Sequence, residues 1–180
     1  LPMPSPLRQR LFAAGFAAIA ATGADRWLRR AALGRGVILT FHHVRPWRDR
    51  EGFAPNRLLE ITPEFLDGVL TILPRLGFEI VAMDAVPGRL EAPLAGRPFA
   101  ALTFDDGYRD VVEHALPALS RHGAPWTFFV TTDYADGQGS LWWLELEEAV
   151  RRLDRIGLAL EGATLALPSA PADDKQAAFE

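Results

Sequence analysis

Two carboxylates stand side by side at Asp105 and Asp106, after the apolar run Phe99-Ala100-Ala101-Leu102-Thr103-Phe104 and before Gly107. Like charges on neighbouring residues raise each other's proton affinity. A chain that delivers two acids together beside a core has a use for them, and the usual ones are holding a divalent cation and moving a proton. Side chains alternate along a strand, so both acids reach one site only if the strand has ended. Gly107 supplies the backbone freedom for that turn. The plainer reading is that one acid caps the next helix while the other is solvated.

The chain has no cysteine and four histidines, so any metal would be held by Asp, Glu or His. His42 and His43 follow the run Val37-Ile38-Leu39-Thr40-Phe41. A neutral imidazole suits zinc or a proton shuttle, and alternation leaves at most one of the pair facing a site. Local packing of two loop histidines is the competing reading. His114 and His122 fall on the helix after the acids and read as solvated helix residues. Trp142 and Trp143 could stack on sugar rings, but anchoring a loop to the core is the preferred reading. Gly34-Arg35-Gly36 and Gly137-Gln138-Gly139 lack the spacing of a phosphate loop.

These residues need elements to place them. Residues 37–41, 78–83, 99–104 and 125–131 read as strands. Thr62 reads as an N-cap, with Pro63 at the first helical position and Glu64 near the positive end of the dipole. Phe65, Val69, Leu70, Ile72, Leu73 and Leu76 supply an apolar face, and Gly77 ends that helix. Asp84 reads as the cap of a short turn, with Pro87, Gly88, Pro93, Gly96 and Pro98 marking loop. A helix from about Tyr108 to His122 is expected to kink or split at Pro117. After a loop from Asp133 to Ser140, a helix runs to about Ile156, with Leu144, Leu146, Ala149, Val150 and Leu153 as its buried side. A hairpin turns at Glu161-Gly162, and a last helix starts with Asp173 or Asp174 as cap. Strands alternating with helices imply a parallel sheet. His42-His43, Asp105-Asp106 and Thr131-Thr132-Asp133 would then meet at one rim of strand ends.

With 180 residues, 49% of them hydrophobic and 23% charged, the chain can bury a core. A net charge of −4 without a long basic run argues against a nucleic-acid partner. Arg8 and Arg10 precede the apolar stretch Leu11 to Ala21. That layout is shared by signal peptides, but an Ala-rich helix continuing towards Trp27-Leu28-Arg29-Arg30 is preferred. The run is too short to span a bilayer, and a peripheral membrane contact over residues 7–30 stays open. The compartment reads as cytoplasm or cell envelope; oligomeric state is not legible. The chain begins with Leu1 and its final segment reads as a helix just begun, so a fragment of a longer chain is expected.

Thr103-Phe104-Asp105-Asp106-Gly107-Tyr108 resembles the first motif of the polysaccharide deacetylases, the NodB-homology domain or carbohydrate esterase family four. Leu39-Thr40-Phe41-His42-His43-Val44 resembles that family's opening strand. Pro117 to Val130 resembles the helix and Phe-Phe-Val strand after its acid motif. The resemblance covers roughly residues 37 to 145. It implies an α/β fold, here an incomplete distorted (β/α) barrel, with an N-terminal helical segment over 1–34 and a partial deacetylase domain over 35–180. Within it, about 141–172 would be an insertion, and the C-terminal part would be missing. It implies removal of acetyl groups from a polysaccharide or chitooligosaccharide with a divalent metal, zinc above all. Asp105 would be the general base, Asp106 a metal ligand, and His42 a substrate-binding residue. The family's His-Ser/Thr-x-x-His pair has no match here, and neither do its later motifs. The metal site is therefore incomplete and the chain as given is expected to be inactive. The alternatives are a non-catalytic glycan-binding relative and an unrelated magnesium-dependent α/β phosphohydrolase.

Overall fold

The structure, a computed structural model, describes residues 6–24, 26, 34–48, 52–92, 96–160 and 162–179. The expected helix continuation over Trp27–Arg30 and the turn residue Glu161 lie outside them. The fold is built on β5 (Phe99–Phe104), which is buried at all six positions. A parallel strand covered on both faces needs such a continuous apolar run. Along one edge it pairs in parallel with β1 (Gly36–Phe41), from Gly36 opposite Phe99 to Phe41 opposite Phe104. Its other edge is shared. β4 (Glu79–Val81) pairs with the first half and β6 (Thr127–Phe128) with the last two residues, both parallel. These four strands form an open sheet, and no closed barrel is present among the described residues.

Alternation divides β5 between two cores. Ala100, Leu102 and Phe104 face the larger one, with Leu66, Leu70 and Leu73 of α2 (Pro63–Arg75) and with Ala118 and Leu119 of α4 (Leu116–Arg121). Phe99 and Ala101 meet Val81 and Val86 in a smaller core on the opposite face. Each buried leucine of α2 contributes about 1.5–3 kcal/mol relative to exposure. Gly36 is required where β1 begins, because a Cβ there would stand 2.4 Å from the Phe99 carbonyl oxygen and 2.6 Å from its ring.

The start of α2 is as expected: Thr62 caps it, accepting from the Phe65 backbone N–H at 3.1 Å. Its buried face is narrower than expected. Leu66 takes the position next to Leu70 and Leu73, while Phe65, Ile72 and Leu76 are exposed. The second and fourth strands are shorter than expected, at three and two residues. Asp84 caps nothing with its side chain, and Pro87 and Gly88 lie inside α3 (Val86–Glu91). Pro is tolerated there because the first turn has no partner for its missing N–H.

The helix after the acids does split at Pro117. One π-helical turn, Val111–Ala115, precedes α4, and Pro117 sits in the first turn of α4. The expected loop from Asp133 holds a short α5 (Thr132–Ala135). In α6 (Trp142–Arg152), Val150 and Glu147 are buried while Ala149 and Leu153 are exposed, so two positions of the expected apolar side face water. β7 (Arg155–Leu160) and β8 (Ala163–Pro168) make the expected antiparallel hairpin. In α7 (Ala172–Phe179), Asp173 and Asp174 occupy the first turn instead of the cap. The N-terminal helix α1 (Pro6–Thr22) forms, with Leu11, Phe12 and Phe16 each at least 60% exposed. Among the described residues no helix is long and apolar enough to cross a membrane.

Candidate active site

The C-terminal ends of the strands open onto a cleft of about 430 Å³. Ile38 and Thr40 of β1, Thr103 of β5, then Asp105 and Asp106, and Phe129 to Thr131 after β6 line it. The Thr103 hydroxyl donates to the Thr40 hydroxyl at 3.1 Å, bracing the floor across the two strands. Of the three polar strand ends expected to converge, the acid pair and Thr131 reach this cleft. His42 and His43 are absent from its lining.

Backbone geometry keeps the acids together. The Asp105 N–H donates to the Phe41 carbonyl at 2.9 Å, extending the β1–β5 ladder by one step, and the Phe129 N–H donates to the Phe104 carbonyl at 2.8 Å. The chain then turns left-handed at two successive residues, Asp106 with φ 69° and Gly107 with φ 76°. Asp106 is the one non-glycine residue with positive φ among the described residues. Such a conformation costs an L-residue about 1–2 kcal/mol and is best tolerated by Asp and Asn. Strain of this kind concentrates where function demands a particular side-chain direction. The ion pairs of the described residues involve neither Asp105 nor Asp106.

The histidine pair separates. His43 belongs to β2 (His43–Val44), a two-residue strand paired in parallel with β3 (Glu60–Ile61). It is 5% exposed, with Nδ1 2.7 Å from the Asp110 carboxylate and its ring 3.5 Å from that of Tyr108, centroid to centroid. The Tyr108 hydroxyl accepts from the Trp143 indole N–H at 3.0 Å. Burial pushes that hydroxyl up to about 12, and the charges of Asp106 and Asp110 add to the rise against the opposing Trp143 hydrogen bond. Thus Trp143 anchors to the core, while Trp142 is 62% exposed. His42 is half-buried between β1 and β2. Asp110 and Tyr108 were not singled out from sequence as site residues. The available signal was the polar Tyr-Arg-Asp run directly after Gly107, which reads equally well as an ordinary helix start.

Residues 95–178 match the polysaccharide deacetylase family. The resemblance read from the acid motif therefore holds over that stretch. No curated protein matches the chain. Among solved structures, a deacetylase of Streptococcus pyogenes in complex with acetate, PplD, is 23% identical, with a TM-score of 0.47 over 58% of this chain and 46% of that one. IcaB from Ammonifex degensii is 28% identical, with a TM-score of 0.43 over 54% and 39%. A de-N-acetylase from Aggregatibacter actinomycetemcomitans is 19% identical, with a TM-score of 0.42 over 76% and 47%. The chain spans less than half the length of each of these proteins.

Within the matched stretch, the histidines on the helix stay away from the cleft. His122 and Arg121 both pair with Asp67 on the surface of α2, at 3.0 and 2.9 Å, and these hydrogen bonds hold the Asp67 carboxyl below the usual range. No group of three or more His, Asp or Glu side chains that could hold a metal ion occurs among the described residues. A zinc site takes three or four protein ligands, so the residues present do not by themselves fit one.

Proposed function

We propose that this chain carries the acid-motif part of a polysaccharide deacetylase that releases acetate from N-acetylated glycans. The observation that carries the reading is the acid pair on a left-handed turn at the open end of a parallel sheet, inside the stretch that matches the family. In this reading the fold is part of a distorted (β/α) barrel, with the cleft at its strand ends.

Hydrolysis of an acetamide needs a water made nucleophilic, and general-base catalysis is worth about 10²–10⁴-fold. Asp105 takes that role: it continues the β5 ladder and lines the cleft. It accepts the proton of the water that attacks the acetyl carbon and passes it to the amide nitrogen as the C–N bond breaks, so that a free amine leaves together with acetic acid, which ionises to acetate. Asp106 offers one carboxylate to a divalent cation. Since the described residues supply no trio of ligands, no step is assigned to the metal, and the chain taken alone is expected to be inactive. His42 lies outside the cleft lining but beside Asp105, one register step beyond Phe41 and Phe104, and in this reading it meets the glycan at the cleft's rim.

The test is acetate release from N-acetylglucosamine oligomers by the full-length protein, run beside phosphate release from a phosphomonoester with magnesium. Acetate without phosphate supports the proposal. Phosphate without acetate replaces it with a phosphohydrolase, and glycan binding without either product replaces it with a non-catalytic relative.

A further inference from the structure

Asp110 makes two contacts that tie the ends of neighbouring strands together. One carboxylate oxygen lies 2.7 Å from His43 Nδ1, and the other accepts from the Val44 backbone N–H at 3.3 Å. Asp110 itself has helical backbone angles just before the π-turn, and it lies four residues beyond Asp106. Tyr108, between the acid pair and Asp110, is held on one side by the His43 ring and on the other by Trp143. On the strand side, Asp105 N–H is bonded to the Phe41 carbonyl. Segment 41–44 and segment 105–110 are thus joined at Phe41, His43 and Val44, and His42 lies between the joined residues. Continuing the β1–β5 register one step beyond Phe41 and Phe104 sets His42 beside Asp105.

We infer that Asp110 is a positioning residue. By gripping His43 and Val44, it fixes the end of β1, and with it His42, in register with Asp105 and Asp106. A carboxylate with two hydrogen-bond donors on a neighbouring segment fixes both distance and direction. A buried imidazole committed to it cannot swing towards the cleft. The pair of histidines is thereby sorted, His43 as the anchor and His42 as the residue left at the site. The assignment of His42 to the site rests on the deacetylase reading; the mechanical coupling of Asp110 to Asp105 does not.

Two measurements test this. Amide hydrogen exchange on the chain, residue by residue, is compared for wild type, Asp110→Asn and Asp110→Ala. Loss of a charge-assisted clamp is expected to speed exchange at the Asp105 amide by about tenfold in Asp110→Ala. Asp110→Asn, which keeps the size and one acceptor, is expected to fall between. The amides of Ile80 and Val81 serve as reference. If exchange rises uniformly, or rises at Val44 while the Asp105 amide is unmoved, Asp110 is a structural residue only and the inference is overturned. Acetate release by the full-length protein supplies the second arm. His42→Ala and Asp110→Ala are expected to be non-additive, with the double variant within about twofold of His42→Ala alone. Fully additive losses overturn the link to His42. An Asp105 amide that responds to Asp110 in a protein releasing no acetate supports the clamp and overturns the deacetylase reading instead.

Discussion

Two neighbouring strands each end in a doubled polar residue, and the fold treats the two pairs in opposite ways. After β1, the chain continues as another extended segment, β2, so alternation separates the pair: His43 enters the core against Tyr108 and Asp110, and His42 stays half-buried outside it. After β5, the chain stops being a strand. Left-handed backbone at Asp106 and Gly107 brings both acids to the same cleft. A doubled residue is one candidate site residue where the strand runs on and two where the backbone breaks.

The difference between His43 and His42 gives the largest stability contrast. His43→Ala removes a buried ring and leaves Asp110 only its Val44 N–H partner, and is expected to cost about 2–4 kcal/mol in urea unfolding. His42→Ala is expected to stay within about 0.5 kcal/mol of wild type. Equal losses at the two positions would erase the contrast. The acid pair is broken through its backbone. Gly107→Ala forces an alanine to φ 76° and brings its Cβ to 3.1 Å from the Val130 side chain, with an expected loss of about 1–3 kcal/mol. Asp105→Asn, by contrast, relieves like-charge repulsion and is expected to leave the melting temperature unchanged or higher.

The smallest effect comes from Tyr108. Its hydroxyl stays protonated up to about 12 in the folded protein, whereas an unfolded tyrosine ionises near pH 10. Between those values the unfolded state binds fewer protons, so this contribution to stability is complete below pH 10 and is lost as pH rises towards 12. The chain has two tyrosines, and Tyr108→Phe is expected to flatten the alkaline decline seen by urea unfolding between pH 9 and 12.

Much of this was legible in the residues because it depends on local rules. The unbroken apolar run of β5, the Thr62-Pro63-Glu64 helix start and the split at Pro117 each follow from backbone chemistry within a few positions. What escaped depends on contacts distant in sequence. His43 and Asp110 are 67 residues apart, and nothing local to either names the other. Glu147, outside the expected buried set of α6, is buried with its carboxylate accepting from the Asn56 backbone N–H at 3.3 Å and paired with Arg151. Leu66 is buried with Leu70 and Leu73 while Phe65, Ile72 and Leu76 are exposed, so α2 buries a narrower stripe than its apolar content offers.

The unequal roles of the two acids are the most exposed claim, and one experiment reads both. Acetate release from N-acetylglucosamine oligomers and zinc binding are measured together on the full-length protein and on its Asp105→Asn and Asp106→Asn variants. The expected result is loss of acetate release by about 10²-fold or more in Asp105→Asn with zinc still bound, and weakened zinc binding in Asp106→Asn. Normal acetate release by both variants would contradict the account.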